Sequence, residues 1–247
     1  MFDNLDLTLI LIISVIGLCA SFVQRVSGFG LGIFAMLFLP YFMPTPVAAA
    51  TISCLFSCGT STYNAIKYRK DTPYKTVLPV LIAALAVIPI AVYFAAAVPD
   101  RIFKIILGAV LIVLSIFFLF FSDKIRIKRN TTNGVIFGAL GGALNGLFST
   151  GGPPIVIYLT QATDNNKKYF AGIQFYFCIT NIYATVMRAF NGLLTLDLLI
   201  YSIIGMVGCL IGDFIGKLVF DKLDGKKLKT IIYIGMIVSG ALMIINI

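Results

Sequence analysis

The sequence predicts an all-α polytopic membrane protein made of two homologous repeats, read as inverted, with about eight membrane segments. Three observations lead there: a composition too apolar for water, a series of apolar segments separated by short polar loops, and a second half that repeats the first. Of the 247 residues, 60% are hydrophobic and 12% charged, too little polarity to cover a water-soluble globule of this size. A bilayer core needs about 20 apolar residues per spanning helix, and no loop between the segments is long enough to fold by itself.

The apolar segments of the first half fall at residues 7–23, 28–42, 47–66, 77–98 and 103–121. The chain begins Met1-Phe2-Asp3-Asn4-Leu5-Asp6, without a basic stretch or a small-residue cleavage site, so the first segment is expected to be a retained helix rather than a signal peptide. The second half follows at 134–147, 151–160, 169–190, 196–216 and 230–247. Between the halves lies the most charged stretch, Ser122-Asp123-Lys124-Ile125-Arg126-Ile127-Lys128-Arg129-Asn130. The expected organisation is therefore a first transmembrane repeat at 1–121, a cytoplasmic linker at 122–132 and a second transmembrane repeat at 133–247.

Ser27-Gly28-Phe29-Gly30 lies 122 positions before Ser149-Thr150-Gly151-Gly152, Tyr63 lies 120 before Tyr183, and Lys104 and Lys229 open the last helix of each half. Such offsets in similar hydropathic contexts indicate duplication. In each half the first two segments are short and joined through a glycine-rich break, which reads as a hairpin or re-entrant element returning to its starting side. Three full crossings then follow, and an odd number of net crossings inverts the second repeat. With the N-terminus outside, fifteen of the 19 Lys and Arg fall on inside loops: Lys67, Arg69, Lys70, Lys75, Lys124, Arg126, Lys128, Arg129, Lys167, Lys168, Lys217, Lys222, Lys226, Lys227 and Lys229. Arg101, Lys104 and Arg188 fall outside, and Arg25 at the first break, so the arrangement obeys the positive-inside rule.

Several function classes drop out. The net charge of +9 comes from small clusters between apolar segments, which suits loops facing anionic lipid rather than nucleic acid. No histidine is present, so imidazole catalysis and imidazole metal ligation are excluded, and Ser27 and Ser149 lack a base that would make either a nucleophile. Cys19, Cys54, Cys58, Cys178 and Cys209 are odd in number and sit in apolar stretches, as packing residues rather than disulfides or a metal cluster. No cofactor is expected.

The informative features are the two breaks, Gln24-Arg25-Val26-Ser27-Gly28-Phe29-Gly30-Leu31-Gly32 and Asn145-Gly146-Leu147-Phe148-Ser149-Thr150-Gly151-Gly152-Pro153-Pro154. Glycine permits close approach to backbone, and proline suits the first turn of a new helix. A helix that starts at membrane depth presents unpaired N–H groups and a positive dipole end, which favour an anion. The bland reading is that these glycines only let helices pack.

The expected substrate-binding set is Gln24, Arg25, Ser27, Gly28, Phe29, Gly30 and Gly32 from the first break and Asn145, Ser149, Thr150, Gly151, Gly152 and Pro153 from the second. Asn64, Asn181 and Arg188 join it. Arg25 and Arg188 are hard to explain as loop residues, and arginine suits a sulfonate or carboxylate through its fork of donors; interfacial snorkelling is the alternative. Gln174, Thr180, Asn181 and Thr185 make the helix before Arg188 polar inside. Ser57, Thr60, Asn64 and Asn145 are candidates to line a path, although Ser and Thr also bond their own helix backbone. Phe29 and Phe148 stand beside the breaks as candidate gates, and Asp213 is expected to pair with Lys217 one turn on.

The run 24–32 followed by Pro40, and Gly138-Ala139-Leu140-Gly141-Gly142 leading into Ser149-Thr150-Gly151-Gly152-Pro153-Pro154-Ile155-Val156-Ile157-Tyr158, resemble the paired glycine motifs of the sulfite exporter TauE/SafE family. The resemblance covers essentially the whole chain, with Pro153 where a third glycine often stands. It implies a multi-pass cell-membrane transporter for sulfite, an organosulfonate or a related sulfur-containing or carboxylate anion. The residues themselves call for a secondary transporter working by alternating access, because no nucleotide-binding motif exists to make a pump. The alternative is a passive anion channel lined by the same groups. The expected partners are a small anionic substrate, the lipid bilayer and a coupling proton or sodium ion, with homo-oligomerisation left open and no nucleic acid.

Overall fold

The computed structural model describes residues 6–120, 127–219 and 225–245. Residues 122–126 of the charged linker, Lys222 and Ile247 lie outside the described residues, as do the side chains of Lys226, Lys227 and Lys229. Ten α-helices are present among the described residues: α1 Leu7–Ser27, α2 Leu31–Phe38, α3 Pro46–Lys67, α4 Tyr74–Ala97, α5 Asp100–Phe120, α6 Thr131–Phe148, α7 Gly152–Ala162, α8 Asn166–Phe190, α9 Leu196–Val219 and α10 Gly225–Ile245. They follow the ten apolar segments in order.

Helix starts obey local chemistry. The Asp6 carboxylate accepts from the Thr8 and Leu9 amides, Thr45 Oγ1 from Ala48, Asn130 from Asn133 and Asn165 from Lys168, each satisfying a donor that the first turn leaves free. These caps move the boundaries outward from the apolar runs. Polar residues such as Lys167 and Lys168 lie inside α8, and Gln24 and Arg25 belong to the last two turns of α1 rather than to the break.

Among the described residues, five helices are long and apolar enough to cross a membrane: α1, α4, α5, α8 and most of α9. α2 has 8 residues and α7 has 11, so at 1.5 Å per residue they reach about 12 and 17 Å, well short of a core of about 30 Å.

Packing relies on small residues. α1 lies on α9 so closely that a Cβ on Gly208 or Gly212 would sit 2.1 Å from the Ser14 or Leu18 carbonyl oxygen. α6 lies on α4 in the same way through Gly138 and Gly142, against the backbone of Val80 and Ala84. α5 crosses α10 where Gly108 and Gly240 face each other, each leaving only 2.6 Å to the other's carbonyl oxygen. In lipid, where apolar burial between helices gains little, such contact carries van der Waals packing. α3 and α8 form the centre of the molecule, with α9 against α3 and α4 against α8.

Polarity is inside out. The outer faces of α5 and α9 present Ile102, Val113, Ile116, Phe120, Ile203, Val207, Phe214 and Leu218, whereas Ser53, Ser57, Thr60, Ser61 and Asn64 of α3 and Gln174, Thr180 and Asn181 of α8 are buried. A surface of isoleucine and phenylalanine suits acyl chains, and a polar interior then needs internal partners or a ligand.

Candidate functional site: the cavity between two helix breaks

The first break is held by its own backbone chemistry. Ser27 Oγ donates to the Val23 carbonyl at 2.8 Å and also bonds the Phe29 carbonyl, while the Gly28 amide returns to the Gln24 carbonyl at 2.8 Å. Gly28 (φ 83°) and Gly30 (φ 108°) take left-handed conformations that a side chain would strain. Gly30 then opens α2 with no side chain capping it, so the first-turn amides of Leu31, Gly32 and Ile33 have no partner within the helix.

The second break differs in detail. Ser149 ends α6 at φ 56°, its amide on the Asn145 carbonyl and its hydroxyl on the Ala50 carbonyl at 2.7 Å. α7 also starts without a side-chain cap, at Gly151, but Pro153 and Pro154 in its first turn carry no N–H. Of the two helix starts, α2 therefore offers more donors.

The breaks meet. A Cβ on Gly32 would lie 1.8 Å from the Ser149 carbonyl oxygen, and one on Gly152 would touch Phe29 at 3.4 Å. Between them is a cavity of about 10 Å³ lined by Gln24, Ser57, Asn145, Ser149 and Thr150, by the start of α2 from Gly30 to Ile33, and by Gly152 and Phe177. Gln24 is held by Gln174 Oε1 at 3.3 Å, Ser61 Oγ at 3.5 Å and the Thr60 hydroxyl at 3.3 Å, and Asn181 Nδ2 donates to Ser57 Oγ at 2.9 Å. Gln174 Nε2 also reaches the Gly28 carbonyl at 3.2 Å, tying α8 to the first break. Asn145 Nδ2 and Thr150 Oγ1, 1% and 2% exposed as residues, have no hydrogen-bond partner. Buried polar atoms are nearly always bonded, so two orphans on one cavity mark a place for a ligand or water.

Of the sequence-predicted set, Gln24, Gly30, Gly32, Asn145, Ser149, Thr150 and Gly152 line this cavity. Ser27, Gly28, Phe29, Gly151 and Pro153 shape the breaks without lining it, and Asn181 stands one bond behind Ser57. Arg25, Asn64 and Arg188 lie elsewhere. Arg25 donates to Asn64 Oδ1 and Tyr68 OH, and Asn64 Nδ2 reaches Asp213 Oδ1 at 3.4 Å, so Asp213 meets Asn64 where sequence spacing suggested Lys217. Arg188 is fully buried, which removes snorkelling, and its guanidinium bonds Thr51 and the carbonyls of Gly146 and Leu147. Phe29 and Phe148 both pack on α5, through Phe118 at 5.8 Å and Phe103 at 4.9 Å.

Leu31, Ile33 and Phe177 line the cavity, and Gln174 supports it, although none belonged to the predicted set. Helical spacing carried a signal for two of them: Gln174, Phe177, Asn181 and Arg188 recur at one face of α8, and Ser57, Thr60 and Asn64 at the facing side of α3.

A lipid-facing helical shell around a buried polar seam, with two broken helices meeting in the middle, is the build of a membrane transporter. Comparison with known families bears this out and narrows it. The sulfite exporter TauE/SafE family model matches residues 13–243, nearly the whole chain, and the protein belongs to that family. No curated protein and no solved structure gave a match.

Proposed function

We propose that the protein is a secondary transporter of the cell membrane that carries a small anion, sulfite, an organosulfonate or a related sulfur-containing or carboxylate anion, by alternating access, with the cavity between the two breaks as its binding site. The observation that carries this is the coincidence on one narrow cavity of the uncapped α2 N-terminus with the orphaned Asn145 Nδ2 and Thr150 Oγ1. Amides, an amide NH₂ and a hydroxyl are all donors, and a positive dipole end adds to them, so the complementary ligand is an acceptor-rich anion. Its family membership supports the same class.

The size of the cavity favours a carrier over a passive channel. About 10 Å³ is room for one water-sized sphere, less than any of these anions, so entry requires helices to part. An inverted-repeat design supports such parting. Exchanging α1 with α6, α2 with α7, α3 with α8, α4 with α9 and α5 with α10 turns the α1–α9 packing into α6–α4, α3–α9 into α8–α4 and α1–α2 into α6–α7. The α3–α8 and α5–α10 packings map onto themselves. The drive would be a proton or sodium gradient.

The test is flux in proteoliposomes together with thermal unfolding in sulfite, sulfonates, sulfate and carboxylates. A ligand selective for the folded state raises the unfolding temperature. Saturable, gradient-coupled sulfite or sulfonate uptake is the expected result; flux that never saturates would make the protein a channel, and indifference to every anion would remove the substrate class.

A further inference from the structure

The two arginines that miss the cavity occupy matching positions on either side of it. Ser57, on the cavity, lies six residues after Thr51 and seven before Asn64 along α3, so the two stand about 9 and 10 Å from it in opposite directions. Thr51 holds Arg188 and Asn64 holds Arg25. On α8, Phe170 beneath Arg25 and Arg188 itself are roughly 27 Å apart along the axis, with Phe177 of the cavity between them.

The wiring is the same at both ends. Arg25, three residues before Gly28, ties the end of α1 to the end of α3 through Asn64 Oδ1 at 3.1 Å and Tyr68 OH at 3.0 Å, and lies 5.1 Å over the Phe170 ring at the start of α8. Arg188 ties the end of α8 to the end of α6, gripping the carbonyls of Gly146 at 2.8 Å and Leu147 at 3.4 Å just before Ser149, and bonds Thr51 at 3.3 Å near the start of α3. Each arginine thus fastens the helix that runs into one break to the third helix of its own half, and touches the opposite end of the other half's third helix.

We propose that Arg25 and Arg188 are the two gating residues of the transport path, each closing one end of the cavity by latching a break to the α3–α8 pair. This rests on the transporter reading above. A recess of about 420 Å³ opens directly outside the Arg188 latch, between the start of α3 and the α8–α9 turn. Two of its lining residues are bonded to the latch itself: the Val47 carbonyl accepts from Thr51 Oγ1 at 2.9 Å, and the Leu193 amide donates to the Arg188 carbonyl at 2.9 Å. Arg188 is held by carbonyl and hydroxyl groups and by the Cys54 thiol, with no carboxylate in ion-pair range among the described residues. An arriving anion offers that guanidinium a stronger, charge-assisted partner than the α6 carbonyls do, so substrate releases the end of α6 by competition.

Native cysteines report on each side. Cys54 lies between Thr51 and Ser57, its Sγ 3.7 Å from Asn181 Oδ1, and Cys178 lies on the Arg25 side, 3.5 Å from Thr62 Oγ1. Full-length protein in nanodiscs, keeping one of these and with the other four cysteines replaced by alanine, is reacted with a membrane-impermeant trimethylammonium methanethiosulfonate, a cation outside the proposed substrate class, with no sulfite, sulfonate or carboxylate added. Arg188→Gln is expected to speed modification of Cys54 by about tenfold, the scale of one lost charged hydrogen bond, and to leave Cys178 unchanged. Arg25→Gln is expected to do the reverse. Thr51→Ala and Tyr68→Phe each remove one bond from a latch while keeping the arginine, so they are read in every case, with smaller shifts expected in the same directions, and separate latch opening from the direct loss of the Arg188 contact with the Cys54 thiol. Equal acceleration of both cysteines by either substitution, or no acceleration, overturns the proposal. Because the reagent is a cation and no candidate substrate is added, a protein that carries no sulfite would sink the substrate reading and leave this result standing.

Discussion

Gly32 is where the two breaks press on each other, so Gly32→Ala tests whether their contact builds the site. The new methyl would lie 1.8 Å from the Ser149 carbonyl oxygen and 3.0 Å from its carbonyl carbon, while Cβ contacts essentially never fall below 3.0 Å. The first turn of α2 and the second break must therefore separate by at least about 1.2 Å. Neither neighbour is a flexible side chain, so the strain falls on backbone, and overpacking of this kind costs about 1–3 kcal/mol. At roughly 2–4 °C per kcal/mol for a chain of this size, the unfolding temperature should fall by about 2–12 °C. A 1.2 Å displacement also takes the α2 amides out of common reach with Asn145 and Thr150. Losing one hydrogen bond to a charged ligand costs about 1.5–3 kcal/mol, so sulfite affinity should fall roughly 10- to 150-fold. Gly235→Ala is the control, since its nearest neighbour, Leu37 Cδ1, would be in ordinary contact at 3.6 Å. The measurement is thermal unfolding of both purified variants across a sulfite titration. A Gly32→Ala protein with unchanged unfolding temperature and unchanged sulfite response would show that this contact does not shape the site.

Thr150→Val replaces an unpartnered buried hydroxyl with a methyl of similar shape, so the ligand-free protein should be as stable as before or more so, while the sulfite-induced thermal shift shrinks; a destabilised variant with a full sulfite shift would count against the assignment. Gly30→Val places a branched side chain at φ 108° on the cavity wall, and correctly inserted, monodisperse protein should show sharply reduced sulfite flux; full activity would mean that no ligand approaches that backbone. For topology, reporter fusions at Asn130 and after Ile247 should read cytoplasmic and extracytoplasmic respectively, and a cytoplasmic signal at both would contradict an odd number of crossings in the second half.

What the sequence determined by itself was everything that depends on local periodicity and solvent. An isoleucine- and phenylalanine-rich chain with short charged loops can be solvated only by lipid, and a helix is the one local structure that satisfies its backbone there. The ten segments and both breaks were legible because glycine, proline and capping residues act within a few positions of themselves. That Gln24, Asn145, Ser149 and Thr150 share one cavity was foreshadowed by their matching places in the two halves. The direction of a long side chain was not. Arg25 and Arg188 sit where an anion would be welcome, yet their guanidiniums reach several ångströms to partners on other helices, Asn64 and Tyr68 for one, Thr51 and the end of α6 for the other. Asp213 likewise finds Asn64 across the α3–α9 packing instead of Lys217 on its own helix. Only tertiary structure could decide these, because the competing partners lie tens of residues away in sequence and become neighbours only when glycine faces bring helix backbones into contact.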